Sequence, residues 1–429
     1  MIKIALVFLI LLVLDLSTLF CLKKAFPIYY TRHRNKILVW YFFGHIILFT
    51  GATMGFLTLV PRIIRTISFV GLFISYFSKL FTLIPSVILM VIHVFQERVD
   101  NRLEETALNT NPESVAKDLT DIDFALKNKQ IISRSAFIAR SGLALGSLPL
   151  IALNVGMISG VYDYRIRQVN LVLPNLPRSF EGITIAQISD IHSGSFYNKR
   201  AVSKGIELLL SLKADVIFFT GDLVNDRIDE MKDYQDLFSK VKAPYGVFSI
   251  LGNHDYGDYV NWPSANAKLK NLETLKKVHK IMGYDLLLNE HRKIRIGNDE
   301  IAILGIENWG ALSHFPKYGR VDLALKGAEE LPLKLLLSHD PSHWQAQIIP
   351  RFKEIDMMFS GHTHGMQMGV RLNAFQWSPI QFIYPEWAGL YHKGQQQLYV
   401  NVGYGFLGYP GRIGILPEIT LFKLSSRVS

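Results

Sequence analysis

The chain has 429 residues, 49% of them hydrophobic, a mean hydropathy of +0.20 and a formal net charge of +10. So apolar a composition argues against a purely water-soluble enzyme, and a single cysteine, Cys21, excludes an internal disulfide and any cysteine-ligated metal site. The basicity does not point to nucleic acid: residues 1–160 hold 16 Lys and Arg against 9 Asp and Glu, so +7 of the +10 lies there and only +3 over 161–429.

Four apolar stretches follow one another at the front: 4–21, 37–60, 67–95 interrupted by Lys79, and 137–161 interrupted by Arg140. A bilayer-crossing helix needs about 20 mainly apolar residues, so four spans are expected. The first also reads as a cleaved signal peptide, but the apolar segments that follow at once favour a retained span. Lys79 leaves the third open between a tilted helix with a snorkelling lysine and a re-entrant piece plus a short span. Asp15, mid-span, needs a neighbouring helix to pack against.

Lysines and arginines in the loops set orientation. The first loop carries Lys23, Lys24, Arg32, Arg34 and Lys36 without an acid. The second is very short, with Arg62 and Arg65. The third, 96–133, carries Arg98, Arg102, Lys117, Lys127 and Lys129, with Arg134 just after it. With loops one and three cytoplasmic, the fourth span exits outward, and the rest of the chain lies on the periplasmic or extracytoplasmic side of the cytoplasmic (inner) membrane. An error of one in the span count inverts this. Ser133-Arg134-Ser135-Ala136-Phe137-Ile138 looks like a degenerate twin-arginine export signal that keeps one arginine of the pair, in agreement with the charge bias. Residues 97–133 read as a polar, partly helical cytoplasmic linker. The expected division is a transmembrane region over 1–160 and a second domain over 161–429.

The second part alternates strand and helix. Residues 164–173 read as an edge strand that meets Pro174 and Pro177. Helices are expected over 199–213, 229–241, 264–282, 321–330 and 342–349. Strands are expected over 185–189, 215–220, 246–251, 333–338 and 355–360, with β-rich segments at 398–402 and 418–424. Alternation of this kind implies an α/β sheet, and the extra strands a second sheet packed on it.

The strands end in a shared chemistry. Ile185-Ala186-Gln187-Ile188-Ser189 runs into Asp190-Ile191-His192. Val216 to Thr220 runs into Gly221-Asp222, and Val247 to Leu251 into Gly252-Asn253-His254-Asp255. Leu333 to Leu337 ends in Ser338-His339-Asp340, and Ile355 to Ser360 in Gly361-His362-Thr363-His364-Gly365. Any one of these alone reads as a turn or a buried polar pair. Five in order place Asp, Asn and His at the carboxyl ends of strands, where open α/β sheets gather ligand sites. A donor set of oxygen and imidazole nitrogen suits Mn, Fe or Zn rather than a soft metal.

These five blocks resemble the signature blocks of the calcineurin-like metallophosphoesterase superfamily. The resemblance covers about residues 164–424. Its tail, Asn401-Val402-Gly403-Tyr404-Gly405 with Pro417-Glu418-Ile419-Thr420, is similar to the membrane-associated or exported bacterial branch. It implies a two-sheet sandwich flanked by helices and a binuclear centre of divalent metal ions. One metal would take Asp190, His192, Asp222 and His364, and the other Asp222, Asn253, His339 and His362, with Asp222 as the bridge. A metal-bridging hydroxide would attack a phosphoester in line. His254, not a ligand, would contact the phosphate and protonate the leaving oxygen. Asp255 would orient His254, with a turn-capping role an equal alternative. Asp340 has the same ambiguity and is assigned no role. Asp226 reads as a loop residue, and His314 and His343 as structural or surface residues.

Residues 366–391 depart from the branch, with Met366 where a second glycine is usual. Val370, Leu372, Phe375, Trp377, Ile380, Phe382, Ile383, Tyr384 and Trp387 read first as a hydrophobic core hairpin. The alternative is an apolar lip that admits acyl chains or touches a bilayer. The expected function is therefore membrane-anchored, two-metal-dependent hydrolysis of a phosphoester, with a phospholipid or lipid-linked substrate preferred. The competing readings are a phosphatase of soluble phosphomonoesters or nucleotides, and a non-enzymatic metal-binding membrane module.

Overall fold

A computed structural model of the chain describes residues 2–57, 59–60, 62–107, 133–372 and 375–427. Most of the expected linker, 108–132, lies outside these residues, as do Lys117, Lys127 and Lys129. The chain divides into two compact units, Met1–Asn154 and Val155–Ser429.

The first unit consists of α1 (Ile2–Ala25), α2 (Pro27–Phe56), α3 (Arg62–Ala107) and most of α4 (Arg134–Val155). Each contributes a stretch long and apolar enough to cross a membrane: Leu6–Ala25, Pro27–Phe56, Ile64–Val99 and Arg134–Gly160. A helix satisfies its own backbone groups, which lipid cannot do. One feature differs from expectation, and one open choice is decided. The first basic loop is mostly helical, because α1 and α2 are separated by Phe26 alone and Pro27 opens α2 at a position where a proline's missing N–H is not needed. The third span is one continuous helix through Pro85, neither re-entrant nor divided.

Side-chain contacts fix an up-down-up-down order. Phe8 meets Phe49 and Tyr41 meets Asp15, so α1 and α2 run antiparallel. Ser17 and Thr18 bond Thr82, and Asp15 bonds Lys79, so α1 and α3 run parallel. Gly142 and Gly146 of α4 lie against Pro85 and Ser78 of α3, where the missing side chain lets backbones approach closely.

Lys79 does not snorkel. Its Nζ is buried, 2.6 Å from Asp15 Oδ1 and 2.5 Å from His45 Nε2, and lies 4.0 Å from the centre of the Tyr76 ring. Asp15 also accepts the hydroxyls of Tyr41 at 2.7 Å and Tyr76 at 3.1 Å. His45 Nδ1 donates to the Tyr41 carbonyl, so Nε2 is free to accept from Lys79. One neutralised cluster thus ties three helices together in a setting where a lone charge is costly.

The second unit is built on two six-stranded sheets. The first has the order β1 (Arg165–Val172), β14 (Glu418–Ser425), β2 (Thr184–Ile188), β3 (Val216–Phe219), β4 (Val247–Ser249), β5 (Asp285–Leu286). The second has the order β12 (Gly389–Lys393), β13 (Gln396–Val400), β9 (Met357–Ser360), β8 (Lys334–Leu337), β7 (Asp299–Gly305), β6 (Glu290–Ile296). β1 is an edge strand, as its flanking prolines predict. Phe218, Phe248, Ile303, Leu335, Phe359, Tyr399 and Phe422 fill the space between the sheets. The outer face of the first sheet is covered by α5 (Lys199–Ser211) and α6 (Ala265–Met282), through Val202, Ile206, Leu275 and Met282. The central strands are apolar on both faces because both faces are covered. The helices expected over 229–241 and 321–330 shrink to short turns, with α-helix only at Gln235–Phe238 and Val321–Leu325.

Residues 366–391 split. Tyr384 and Trp387 are core, packed with Val402 and Ile415. The two-stranded ribbon β10 (Val370–Leu372) and β11 (Phe375–Trp377) is not a core hairpin, since all four of its terminal apolar side chains are exposed.

Replacing Lys79 alone leaves Asp15 buried without its cation. Lys79→Met is expected to destabilise the full chain in detergent by about 3 kcal/mol. Asp15→Asn with Lys79→Met should recover most of that loss in thermal melts. Equal melting of wild type and Lys79→Met would show that the pair contributes nothing.

Candidate metal centre

The parallel strands β2, β3 and β4 are in register, Ile188 opposite Phe219 and Phe219 opposite Ser249, so their carboxyl ends lie level. β8 and β9 do the same in the other sheet, with Leu337 opposite Phe359. Asp190 and His192 follow β2, Asp222 follows β3, Asn253 and His254 follow β4, His339 follows β8, and His362 and His364 follow β9. All seven candidate ligands converge.

The turns that carry them are strained. Asp190 (φ 52°), His192 (47°), Asp222 (59°), His362 (73°) and His364 (51°) all adopt left-handed backbone. Such a conformation costs on the order of 1–3 kcal/mol per non-glycine residue and persists only where the surroundings enforce it. Here they do: the Asp190 N–H donates to the Gly221 carbonyl, the His192 N–H to the Asp222 carbonyl, and the His362 N–H to the Asp190 carboxylate. Gly221 (φ 96°) could be nothing else, since a Cβ there would stand 2.6 Å from the Gly252 nitrogen and 2.9 Å from His339 Nδ1.

Two donor clusters result, Asp190–His192–His364 and Asp222–His339–His362. In the first, His364 Nε2 is 3.5 Å from Asp190 Oδ1. In the second, His339 Nε2 is 3.2 Å from Asp222 Oδ2 and 3.3 Å from His362 Nδ1, and His362 Nδ1 is 2.9 Å from Asn253 Oδ1. Asp222 Oδ2 is also 3.4 Å from His192 Nε2, so this carboxylate touches both clusters. Outer partners aim the rings. His339 Nδ1 donates to the Thr220 carbonyl at 2.7 Å, leaving Nε2 to face Asp222, and His362 Nε2 pairs with the Tyr384 hydroxyl at 2.8 Å.

The donors fit a cation. Both ring nitrogens of His192 and Nε2 of His364 are buried without a hydrogen-bond partner, and a buried polar atom is rarely left so. Burial holds the imidazoles neutral, with His192 lowered to about 3 and His362 to about 4, and their lone pairs stay available. Burial, with the neighbouring Asp222 adding to it, raises Asp190 to about 6. Burial also opposes charge on Asp222 and His339, but their mutual attraction outweighs it. Asp222 is held well below the usual carboxylate range and His339 is raised to about 10. A cation held by this cluster would displace the His339 proton.

His254 is half-buried beside the clusters. Its backbone N–H donates to Asp222 Oδ1 at 2.9 Å, and its Nδ1 donates to the Asn225 carbonyl at 2.7 Å. Asp255 makes no bond to the His254 ring. Its buried carboxylate accepts the N–H groups of Asp222 (3.0 Å), Leu223 (2.8 Å), Val224 (3.3 Å) and Gly252 (2.9 Å). That is the turn-capping role, extended over two strand ends. Asp340 accepts from Ser342 through Oδ1 at 2.8 Å, and its Oδ2 is 3.7 Å from His362 Nε2. His343 is structural, buried between Ser338 and Gln347.

A cavity of about 260 Å³ opens on the clusters, lined by His192, Asp222, Asn253, His254, His362 and His364 together with Tyr259, His314, Phe315 and Leu407. These last four were not singled out as site residues, and His314, read as structural or surface, lines the cavity. Tyr259 also accepts from Asn253 Nδ2 at 2.9 Å. Tyr384 was read only as one of the apolar residues of 366–391, and Arg412 was not singled out; Arg412 Nη2 lies 3.2 Å from His364 Nδ1. None sits in a motif with recognisable spacing, so only the fold could reveal them.

Residues 183–366 match the family described as Calcineurin-like phosphoesterase, and residues 1–161 match Probable Calcineurin-like phosphoesterase, transmembrane domain. The chain is 30% identical over 258 residues to the uncharacterized metallophosphoesterase YkuE of Bacillus subtilis, an alignment spanning 58% of this chain and 82% of the relative. It is 27% identical over 274 residues to a transmembrane protein with metallophosphoesterase domain from Danio rerio, spanning 62% of this chain and 58% of the relative. An uncharacterized metallophosphoesterase of Helicobacter pylori is 26% identical, with 63% of this chain and 66% of the relative covered. The chain thus spans less than two thirds of the zebrafish and Helicobacter relatives.

Metal content of the full chain after equilibration with Mn²⁺ is expected to approach two ions, and Asp222→Asn should lose at least one. Affinity should fall as pH drops through about 6, because Asp190 must be deprotonated to ligate. Affinity independent of pH between 5 and 7 would contradict the donor set. Asp255→Ala should lower stability by about 2 kcal/mol, since it strands buried N–H groups. Unchanged melting would remove Asp255 from the scaffold.

Proposed function

The chain belongs to the calcineurin-like metallophosphoesterase family, and from that premise we propose that it is a membrane-anchored hydrolase of phosphoesters with a binuclear metal centre. The observation that carries this reading is the pair of adjacent donor clusters, with Asp222 of one 3.4 Å from His192 of the other and buried imidazole nitrogens left unpartnered. Asp190, His192, Asp222 and His364 would hold one ion, and Asp222, Asn253, His339 and His362 the other. Mn, Fe or Zn suits this set. Bound together, two such ions polarise phosphoryl oxygens and supply hydroxide near neutral pH.

The chain's own residues do the rest. The Thr220 carbonyl fixes the tautomer of His339, and the Tyr384 hydroxyl orients the His362 ring. Asp255 fixes the Asp222 and Gly252 turns against each other. His254 keeps Nδ1 on the Asn225 carbonyl, so in its protonated form Nε2 is the nitrogen that can donate to a leaving oxygen. Phe315 and Leu407 give the cavity an apolar wall beside the ligands.

Two finer readings follow. In the up-down-up-down order, Lys23, Lys24, Arg32 and Arg34 share one end of the helical unit with Arg98, Arg102 and Arg134, whereas Arg62 and Arg65 lie at the other. The richer end is cytoplasmic by the positive-inside rule, so α4 exits outward and the catalytic unit is extracytoplasmic. A phospholipid or lipid-linked phosphoester is the favoured substrate, supported by the membrane part and the apolar wall.

Detergent-solubilised full chain is expected to hydrolyse a chromogenic phosphodiester or monoester with Mn²⁺ and to stop with EDTA. Asp222→Asn should lower kcat/KM by at least about 100-fold, and His254→Ala should lower kcat by about 10²–10⁴-fold. A lipid phosphoester in mixed micelles should be turned over faster than the soluble ester. The reverse order would leave the hydrolase standing and remove the lipid substrate. No turnover of any ester by a folded, metal-loaded chain would replace the enzyme with a binding module.

A further inference from the structure

The ribbon β10–β11 is inside out. Val370 pairs with Trp377 and Leu372 with Phe375, so these four side chains share one face, and that face is exposed (Leu372 67%, Phe375 61%). The opposite face carries the polar pair Arg371 and Gln376, and it is this face that the protein holds. Arg371 Nη1 is 2.5 Å from the buried Glu418, and Gln376 Nε2 donates to the Ala388 carbonyl at 3.1 Å. A half-buried ribbon facing water alternates the other way. The turn that follows adds Phe382 at 80% and Ile383 at 57% exposure. No Asp or Glu occurs between 357 and 385.

This apolar face begins where the fourth membrane-capable stretch ends. That stretch runs to Gly160, and its last turn, Gly156–Gly160, belongs to the catalytic unit. The Gly156 carbonyl accepts the Arg412 N–H at 3.1 Å, and a Cβ on Gly160 would collide with the Arg412 carbonyl. Ile413, next in the chain, exchanges bonds with the ribbon's stem: its N–H donates to the Gln367 carbonyl at 2.8 Å, and its carbonyl accepts the Gly369 N–H at 2.9 Å. One strand of contact thus joins the membrane exit to the residue before Val370.

We propose that the outer face of this ribbon, with Phe382 and Ile383, is a second membrane-contact element, seated in the interfacial layer of the bilayer beside the exit of the fourth span. The occupant is a phospholipid surface. Apolar side chains all on one face, tryptophan among them, with no acidic residue in the segment, match that environment. The short bonded path to the span exit keeps the ribbon at membrane level. The contact does not depend on the substrate, but it bears on the site: Ser378, after β11, donates to the Gly365 carbonyl at 2.8 Å, and Tyr384 holds His362. Docking the ribbon therefore fixes the strained 362–367 loop that carries two candidate ligands.

The test uses the full chain in phosphatidylethanolamine–phosphatidylglycerol nanodiscs with Cys21→Ser. An environment-sensitive fluorophore is placed on Leu372→Cys, Phe375→Cys or Phe382→Cys, with Lys270→Cys on the exposed side of α6 as the control. Circular dichroism melts first select folded variants. Lipid-borne nitroxide is expected to quench the three ribbon labels at least about twofold more than the control, and aqueous iodide to quench them less. Equal behaviour of ribbon and control labels would overturn the proposal. Protection from iodide without nitroxide quenching would also overturn it, because protein, such as a second copy of the chain, would then cover the face. As a check that needs no ribbon label, Leu372→Asp with Phe375→Asp should weaken nitroxide quenching of a label at Ile383→Cys. Unchanged quenching there would count against the ribbon as the docking surface.

Discussion

Desolvation governs the catalytic unit. Asp190, Asp222, His192, His339, His362 and His364 are packed into a space that water barely reaches. Buried carboxylates and imidazoles are tolerated only when something of suitable charge or hydrogen-bonding capacity compensates them. Part of that compensation is present in the Asp222–His339 pair and in the His362 N–H aimed at Asp190. Part is missing, at the nitrogens of His192 and His364. The strained turns, the level strand ends and the Asp255 scaffold all hold this arrangement in place, at a conformational expense that an ordinary turn would relax away.

Much of this was legible before any coordinates. Strand ends are rigid and short, so an apolar run followed by Asp-x-His or Gly-Asp fixes both position and chemistry. The five strand-end blocks could therefore be located from local pattern, and the family resemblance then picked the seven candidate ligands out of them. The edge strand before Pro174 was readable for a similar reason: proline restricts pairing wherever it falls. What could not be read were long-range contacts. Nothing around Tyr384 foretells that its hydroxyl reaches His362, and nothing in the Gly-Pro-rich stretch before Arg412 reveals a buried guanidinium. Asp255 shows the limit more finely. Its neighbour His254 made a side-chain role plausible, but four backbone N–H groups from two loops compete for the same carboxylate, and they win.

The membrane half gave a coarser match. Hydropathy located four stretches because lipid imposes one requirement on every spanning residue. It misjudged Lys79, since a charge at mid-depth is read as a defect until its counter-charge, 64 positions away, is brought beside it. It also misjudged the ribbon. An apolar, alternating segment in a globular domain ordinarily means core, and only the pairing register shows which face is turned inward.

The inverted polarity of that ribbon bears on how the catalytic unit behaves once cut from its helices. Removing an anchor usually turns a membrane enzyme into a soluble one. Here the excised unit would keep a flat, uncharged, aromatic-bearing strip with two strand edges beside it, the geometry from which proteins aggregate. Truncation would therefore trade one hydrophobic liability for another, and colloidal stability would have to be restored by polar substitutions on the outer ribbon face rather than by shortening the chain.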